Sequence, residues 1–204
     1  MQGSHVQIVA QPLPCRLSAG SPWECLYSPR VSCVHRFWSG LCLSVLLLAC
    51  SPALNWREVR AEAGDLTVLL PCKPDRASKS VPLGGEATRL LIMGCEAAGA
   101  LFAVSVADLG DTSRAAEVLA QWQALTLAHI RAAQPQQRAA PLAGADLQPP
   151  PVLLVAQGTH PDGQPVQGQW LFFARGSLVF QVAIYAPRIV PEAAETFFAS
   201  VKIQ

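Results

Sequence analysis

The stretch Gln169-Trp-Leu-Phe-Phe-Ala-Arg-Gly-Ser-Leu-Val-Phe-Gln-Val-Ala-Ile-Tyr-Ala-Pro187 decides the reading of the fold. Two apolar runs flank Arg175-Gly176-Ser177, a composition that folds one extended segment tightly back on the next. In the second run Leu178, Phe180, Val182 and Ile184 alternate with Val179, Gln181, Ala183 and Tyr185. Successive strand side chains point to opposite faces, so one face is wholly apolar and the other mixed. A hairpin of this kind predicts an antiparallel sheet with further layers packed on it.

Working outward, residues 152–156 and 166–174 read as strands, turned by Pro161-Asp162-Gly163. After the hairpin, Pro191 occupies the favoured first position of a helix, with Glu192 and Glu195 in its first turns and Phe197 and Phe198 for the core. Upstream, strands are predicted near 56–61, 66–72, 89–95 and 101–108, with turns at Asp65, Gly84-Gly85 and Ala98-Gly99. Residues 113–132 predict a helix. Asp111, Thr112 and Ser113 are acceptable caps, and Ala115, Val118, Leu119, Trp122, Leu125 and Ile130 form a stripe at helical spacing. The Gln- and Pro-rich residues 134–151 are expected to be a surface loop. Four strands, a helix, three strands and a helix make an α+β domain with an antiparallel sheet.

The quoted hairpin, followed by Pro191-Glu-Ala-Ala-Glu-Thr-Phe-Phe-Ala-Ser-Val-Lys-Ile203, resembles the C-terminal part of PsbP-like domains. Leu70-Pro71 and the strand 102–109 ahead of a long helix are similar to that pattern too. Ala199-Ser200-Val201 stands where the pattern carries Asp-Ser-Phe. The resemblance covers nearly all of residues 56–203. It implies an α-β-α sandwich that binds or assembles with partners rather than catalysing a reaction. It carries over no functional residues, because it lies in core and turn positions.

Near the N-terminus, residues 41–49 read Leu-Cys-Leu-Ser-Val-Leu-Leu-Leu-Ala and follow Arg30, His35 and Arg36. A basic segment, a short apolar run and a small residue are the layout of an export signal. The run is shorter than the ~20 residues a spanning helix needs. It closes on Leu47-Leu48-Ala49-Cys50, which resembles the lipobox of bacterial lipoproteins. That resemblance implies cleavage before Cys50 and acylation of its thiol. Each buried methylene adds ~0.8 kcal/mol of membrane binding, so two or three acyl chains anchor firmly. The alternative is an uncleaved signal anchor or a buried apolar helix. Ser51, rather than Asp, follows the lipid site, which implies an outer-membrane destination facing the periplasm. Residues 1–30, with Pro12, Pro14, Pro22 and Pro29, have no place in such a signal. Translation is expected to start near Val31 or Val34, the alternative being a disordered extension. The expected organisation is an extension over 1–30, a signal peptide over 31–49, a lipidated tether over 50–55 and one domain over 56–204.

Composition narrows the function. Apolar residues make up 51% of the chain and charged residues 14%. From Cys50 onward 12 Lys and Arg stand against 13 Asp and Glu, and no basic stripe or charge run suits nucleic acid. With Cys50 acylated, Cys72 and Cys95 are the thiols left in the mature chain. Export brings them to an oxidising compartment, so a disulfide is predicted. The alternative is two separate buried thiols acting as small hydrophobes.

Candidate chemistry is sparse. Of the mature-chain histidines, His129 reads as a packing residue on the helix and His160 as a solvated loop residue. Neither Gly-x-Ser-x-Gly nor Gly-x-Gly-x-x-Gly occurs, and Gly84-Gly85 is a bare turn. Asp108 and Asp111 read as helix-start caps. Cys72 and Cys95 lack metal-ligand spacing, and no cofactor is expected. Trp122, Trp170, Phe172, Phe173 and Phe180 form either an apolar ligand pocket or the ordinary core between helix and sheet. The function expected is therefore that of a non-enzymatic envelope lipoprotein, attached to the membrane through Cys50, that binds a protein partner or assists an assembly. The alternative is a carrier of a small apolar ligand held between sheet and helix.

Overall fold

A computed structural model describes residues 53–204. Cys50 and the signal segment expected over residues 31–49 lie outside those residues. Half of the described chain is strand and 18% helix, so the domain is mixed but dominated by sheet.

Seven strands form one antiparallel sheet: β3 (Asp75–Leu83), β4 (Glu86–Ala97), β5 (Ala100–Asp108), β6 (Ala133–Ala139), β7 (Val152–Thr159), β8 (Pro165–Arg175) and β9 (Leu178–Ala186). Their spatial order is β3-β4-β5-β9-β8-β7-β6. Three more, β1 (Arg57–Arg60), β2 (Leu66–Leu70) and β10 (Lys202–Ile203), form a small separate sheet with β2 in the middle. The helices are α1 (Ala115–His129), entered through a 3-10 turn at Thr112–Arg114, and α2 (Pro191–Ala199).

The β8–β9 hairpin lies in the interior of the large sheet. Arg175 pairs with Leu178 across a two-residue turn, and β9 pairs with β5 on its other side. Leu171, Phe173, Phe180, Val182 and Ile184 face one way, into a core shared with Leu66, Val68, Leu70 and Phe197. Trp170, Phe172, Ala174, Val179 and Ala183 face the other way, into a core shared with Val118, Leu119 and Trp122. One face is thus covered by the small sheet and α2, the other by α1. Aromatic pairs fasten each side. Phe173 stacks on Phe180 with centroids 4.7 Å apart, Phe102 meets Phe197 edge-on at 5.3 Å, and Trp122 meets Phe172 edge-on at 6.0 Å.

Two expectations are corrected. β3 was not expected, and residues 133–139 are a strand rather than loop. Both are edge strands. β6 is exposed throughout and β3 nearly so, and with little apolar surface to bury they carry little apolar alternation. Pro135 is accommodated where the β6–β7 register shifts between Ala133 and Gln136. The helix stripe also differs. Thr126, not Leu125, follows Trp122 into the interior, and Leu125 is half exposed.

The glycine turns form as expected. Gly84 and Gly85 have φ of 64° and 80°, and Ala98 and Gly99 have 50° and 73°. Positive φ at both central residues gives the twist that two-residue hairpins require. Asp111 accepts a hydrogen bond from Ser113 N at 2.8 Å and caps the entry to α1. Asp108 instead clamps a neighbouring turn, accepting from Ser177 Oγ at 2.7 Å and Gly110 N at 3.0 Å. These bonds, the Ser177 one foremost, hold its carboxyl below the usual carboxylate range.

Cys72 and Cys95 lie at bridging distance, Cα atoms 6.0 Å apart, and are joined as a disulfide. Cys72 follows β2 and Cys95 lies in β4, so the bridge ties the small sheet to the large one. Closing a loop of this length contributes about 3 kcal/mol in the chain-entropy account. The double substitution Cys72→Ser with Cys95→Ser is expected to lower unfolding free energy by about that amount in urea titration. An unchanged midpoint would show that the bridge contributes nothing to stability.

Candidate functional site

The face under α1 carries the clearest candidate. Helix α1 is fastened at its N-terminal half to the β3–β4 turn. Arg114 donates to Gly84 O at 2.9 Å and to Glu86 Oε2 at 2.7 Å, and Gly84 N donates to Gln121 Oε1 at 2.6 Å. It then packs on β8 and β9. Past its C-terminal end, the β4-β5-β9 part of the sheet is left open.

Pair registers put Ile92, Gly94 and Glu96 of β4 beside Ser105, Ala103 and Leu101 of β5, and these beside Gln181, Ala183 and Tyr185 of β9. Gly94 has no room for a side chain. A Cβ there would lie 2.7 Å from Phe102 O on the neighbouring strand. Gly94, Ala103 and Ala183 keep this floor low. Beside α1 an open groove of about 290 Å³ is lined chiefly by Val81, Leu83, Leu90, Trp122, Leu125 and Tyr185. It runs into a wider basin bearing Lys79, Glu96, Leu101 and His160, and His129 and Tyr185 belong to both.

Two polar features lie at the floor. Gln181 Nε2 donates to Thr126 Oγ1 at 2.9 Å, so the polar residue of β9 is matched by the polar residue of the α1 stripe. Trp170 is fully buried beneath Tyr185, with ring centroids 5.4 Å apart. Burial pushes the Tyr185 phenol up. The Trp170 indole N–H approaches its oxygen and offsets part of that rise, without reaching the geometry of a full hydrogen bond.

The aromatic candidates divide between faces. Trp170 and Phe172 are fully buried beneath α1, and Trp122 lies over Phe172 with one edge at the groove. Phe180, like Phe173, is on the opposite face of the sheet. These residues fill two cores and do not line one pocket. Leu83, Leu90 and Tyr185 line the groove and were not singled out from the sequence. The signal available was Gln181, the polar interruption of β9. His129 and His160 both border the basin, and among the described residues no group of three or more His, Cys, Asp or Glu stands close enough to hold a metal. No helix among the described residues is long and apolar enough to cross a membrane.

The sequence matches no known protein-family model, and no curated protein is similar to it at a meaningful level.

The groove floor depends on Gly168, over which the Trp170 ring lies. A Cβ at Gly168 would come within 2.1 Å of that ring. Gly168→Ala is therefore expected to displace Trp170 and to cost about 1–3 kcal/mol, the range for overpacking a core. Chemical denaturation followed by tryptophan fluorescence measures both effects, and a native spectrum with an unshifted midpoint would contradict them.

Proposed function

We propose that this chain is a lipid-anchored protein of a bacterial envelope whose domain, akin to PsbP-like domains, docks a protein partner without catalysing a reaction. The observation that carries the proposal is the position of Cys50. It closes the apolar run of the signal and stands four residues ahead of Leu54, where the chain already lines the folded domain. Three further observations support it. A Cys72–Cys95 bridge suits an exported protein. A helix on each face of a large antiparallel sheet is in keeping with an α-β-α sandwich. Ser51 after the lipid site favours the outer membrane, facing the periplasm.

Cys50→Ala is expected to leave an unprocessed or soluble protein. Detergent-phase partitioning of the two forms decides this, and equal partitioning would sink the anchor. Fractionation of inner and outer membranes tests the destination separately.

Partner docking is favoured over carriage of a small apolar ligand by one observation. Trp170, Phe172 and Phe180 are fully buried, so the interior is filled, while half-exposed Leu125 borders an open groove. Leu125→Glu is expected to change stability by no more than about 0.5 kcal/mol, as for other surface substitutions. It should remove the crosslink formed in intact cells by a photoreactive residue at position 129. A crosslink surviving Leu125→Glu would place the docking surface away from this groove, and saturable binding of a fluorescent fatty acid by the mature domain would favour the other reading.

A further inference from the structure

The strand ladders gather one end of the domain. There β4 turns into β5 at Ala98-Gly99, β9 runs out towards α2, and the chain enters at Leu54. A shallow apolar depression at this end is lined by Leu54, Ala97, Ala98, Arg188, Ile189 and Val190, among others. A large apolar side chain here faces water, Val190 at 54% exposure. It is one of the four exposed large hydrophobic residues of the described domain.

The entry point is fixed to this end. Asn55 N donates to Pro71 O at 2.8 Å, and Trp56 packs edge-on against Phe102 with centroids 5.9 Å apart. Four Cα steps separate Cys50 from Leu54, and an extended chain of that length spans at most about 14 Å. The twelve-residue strand β4, which ends here, is about 40 Å long at ~3.3 Å per residue, so its other end lies far from the entry point. A lipid on Cys50 therefore holds this end near the bilayer at high effective concentration.

We infer that the end bearing Leu54, Arg188 and Val190 rests on the surface of the membrane to which Cys50 tethers it. The inference rests on acylation of Cys50. Val190 enters the boundary between headgroups and acyl chains, and Arg188 reaches a lipid phosphate along its aliphatic stem. Exposed Glu96 and Glu192 lie at the same end, so it is not strongly cationic. Apolar burial rather than charge carries the contact, which is then only weakly sensitive to salt.

The full lipoprotein, purified with its anchor, is reconstituted in vesicles of phosphatidylethanolamine and phosphatidylglycerol containing acyl-brominated lipid. An environment-sensitive dye is placed on Val190→Cys and, at the opposite end of the domain, on Thr112→Cys, with Cys72 and Cys95 left oxidised. Ala98→Cys serves as an independent position at the membrane end. The dyes at 190 and 98 are expected to shift to the blue and be quenched, with little change on raising salt, while the dye at 112 stays in water. If the protein floats with the vesicles but all three dyes remain in water, the domain stands clear of the bilayer. That result overturns this inference and leaves the anchor intact. Quenching at 112 instead overturns the orientation. Failure of the unlabelled protein to float removes the anchor and this inference with it.

Discussion

Both faces of the β8–β9 hairpin are apolar, and neither can be left in water. Burying one such aromatic or aliphatic side chain contributes roughly 1.5–3 kcal/mol. Trp170 and Phe172 on one side, and Phe173, Phe180 and Val182 on the other, are all fully buried. A sheet with two such faces needs two covers. The chain supplies α1 on one side and, on the other, α2 with the small sheet β1-β2-β10. The three-layer arrangement follows from this requirement, and so does the placement of β10. β10 must return beside β2, at the far end of the sequence, to complete the second cover.

That second cover shares no strand ladder with the sheet it protects. It is held by packing, by the bond that Arg76 of β3 donates to Arg60 O of β1 at 3.0 Å, and by the Cys72–Cys95 bridge. No strand ladder crosses this seam, and a covalent tie across it limits how far the layers can separate.

The first cover is smaller than the face it meets. Helix α1 has fifteen residues, about 22 Å at 1.5 Å per residue, against a sheet of seven strands ~4.8 Å apart. Fastening its N-terminal half to the β3–β4 turn sets where the helix lies and which part of the sheet stays open. Small residues at Gly94, Ala103 and Ala183 then make the uncovered part a trough rather than a ridge.

Local chemistry made much of this legible. Strand periodicity of two, paired positive-φ turn residues and Pro191 at a helix start identify β2, β4, β5, β7, β8, β9 and both helices, because each depends on neighbours within a few residues. The count of cysteines, with the reading of Cys50, suggested which two would pair. Tertiary structure decided what depends on distant partners. β3 and β6 are strands because β4 and β7 offer them a ladder, not because of their own polar sequences. Phe180 and Trp170 belong to different cores because alternation separates residues ten apart on two paired strands, which a list of aromatics does not reveal. Thr126 is buried and Leu125 is not because Gln181, fifty-five residues away, presents the amide that satisfies its hydroxyl. Periodicity records which residues are apolar, whereas the covering of a face depends on where a helix of limited length is fastened.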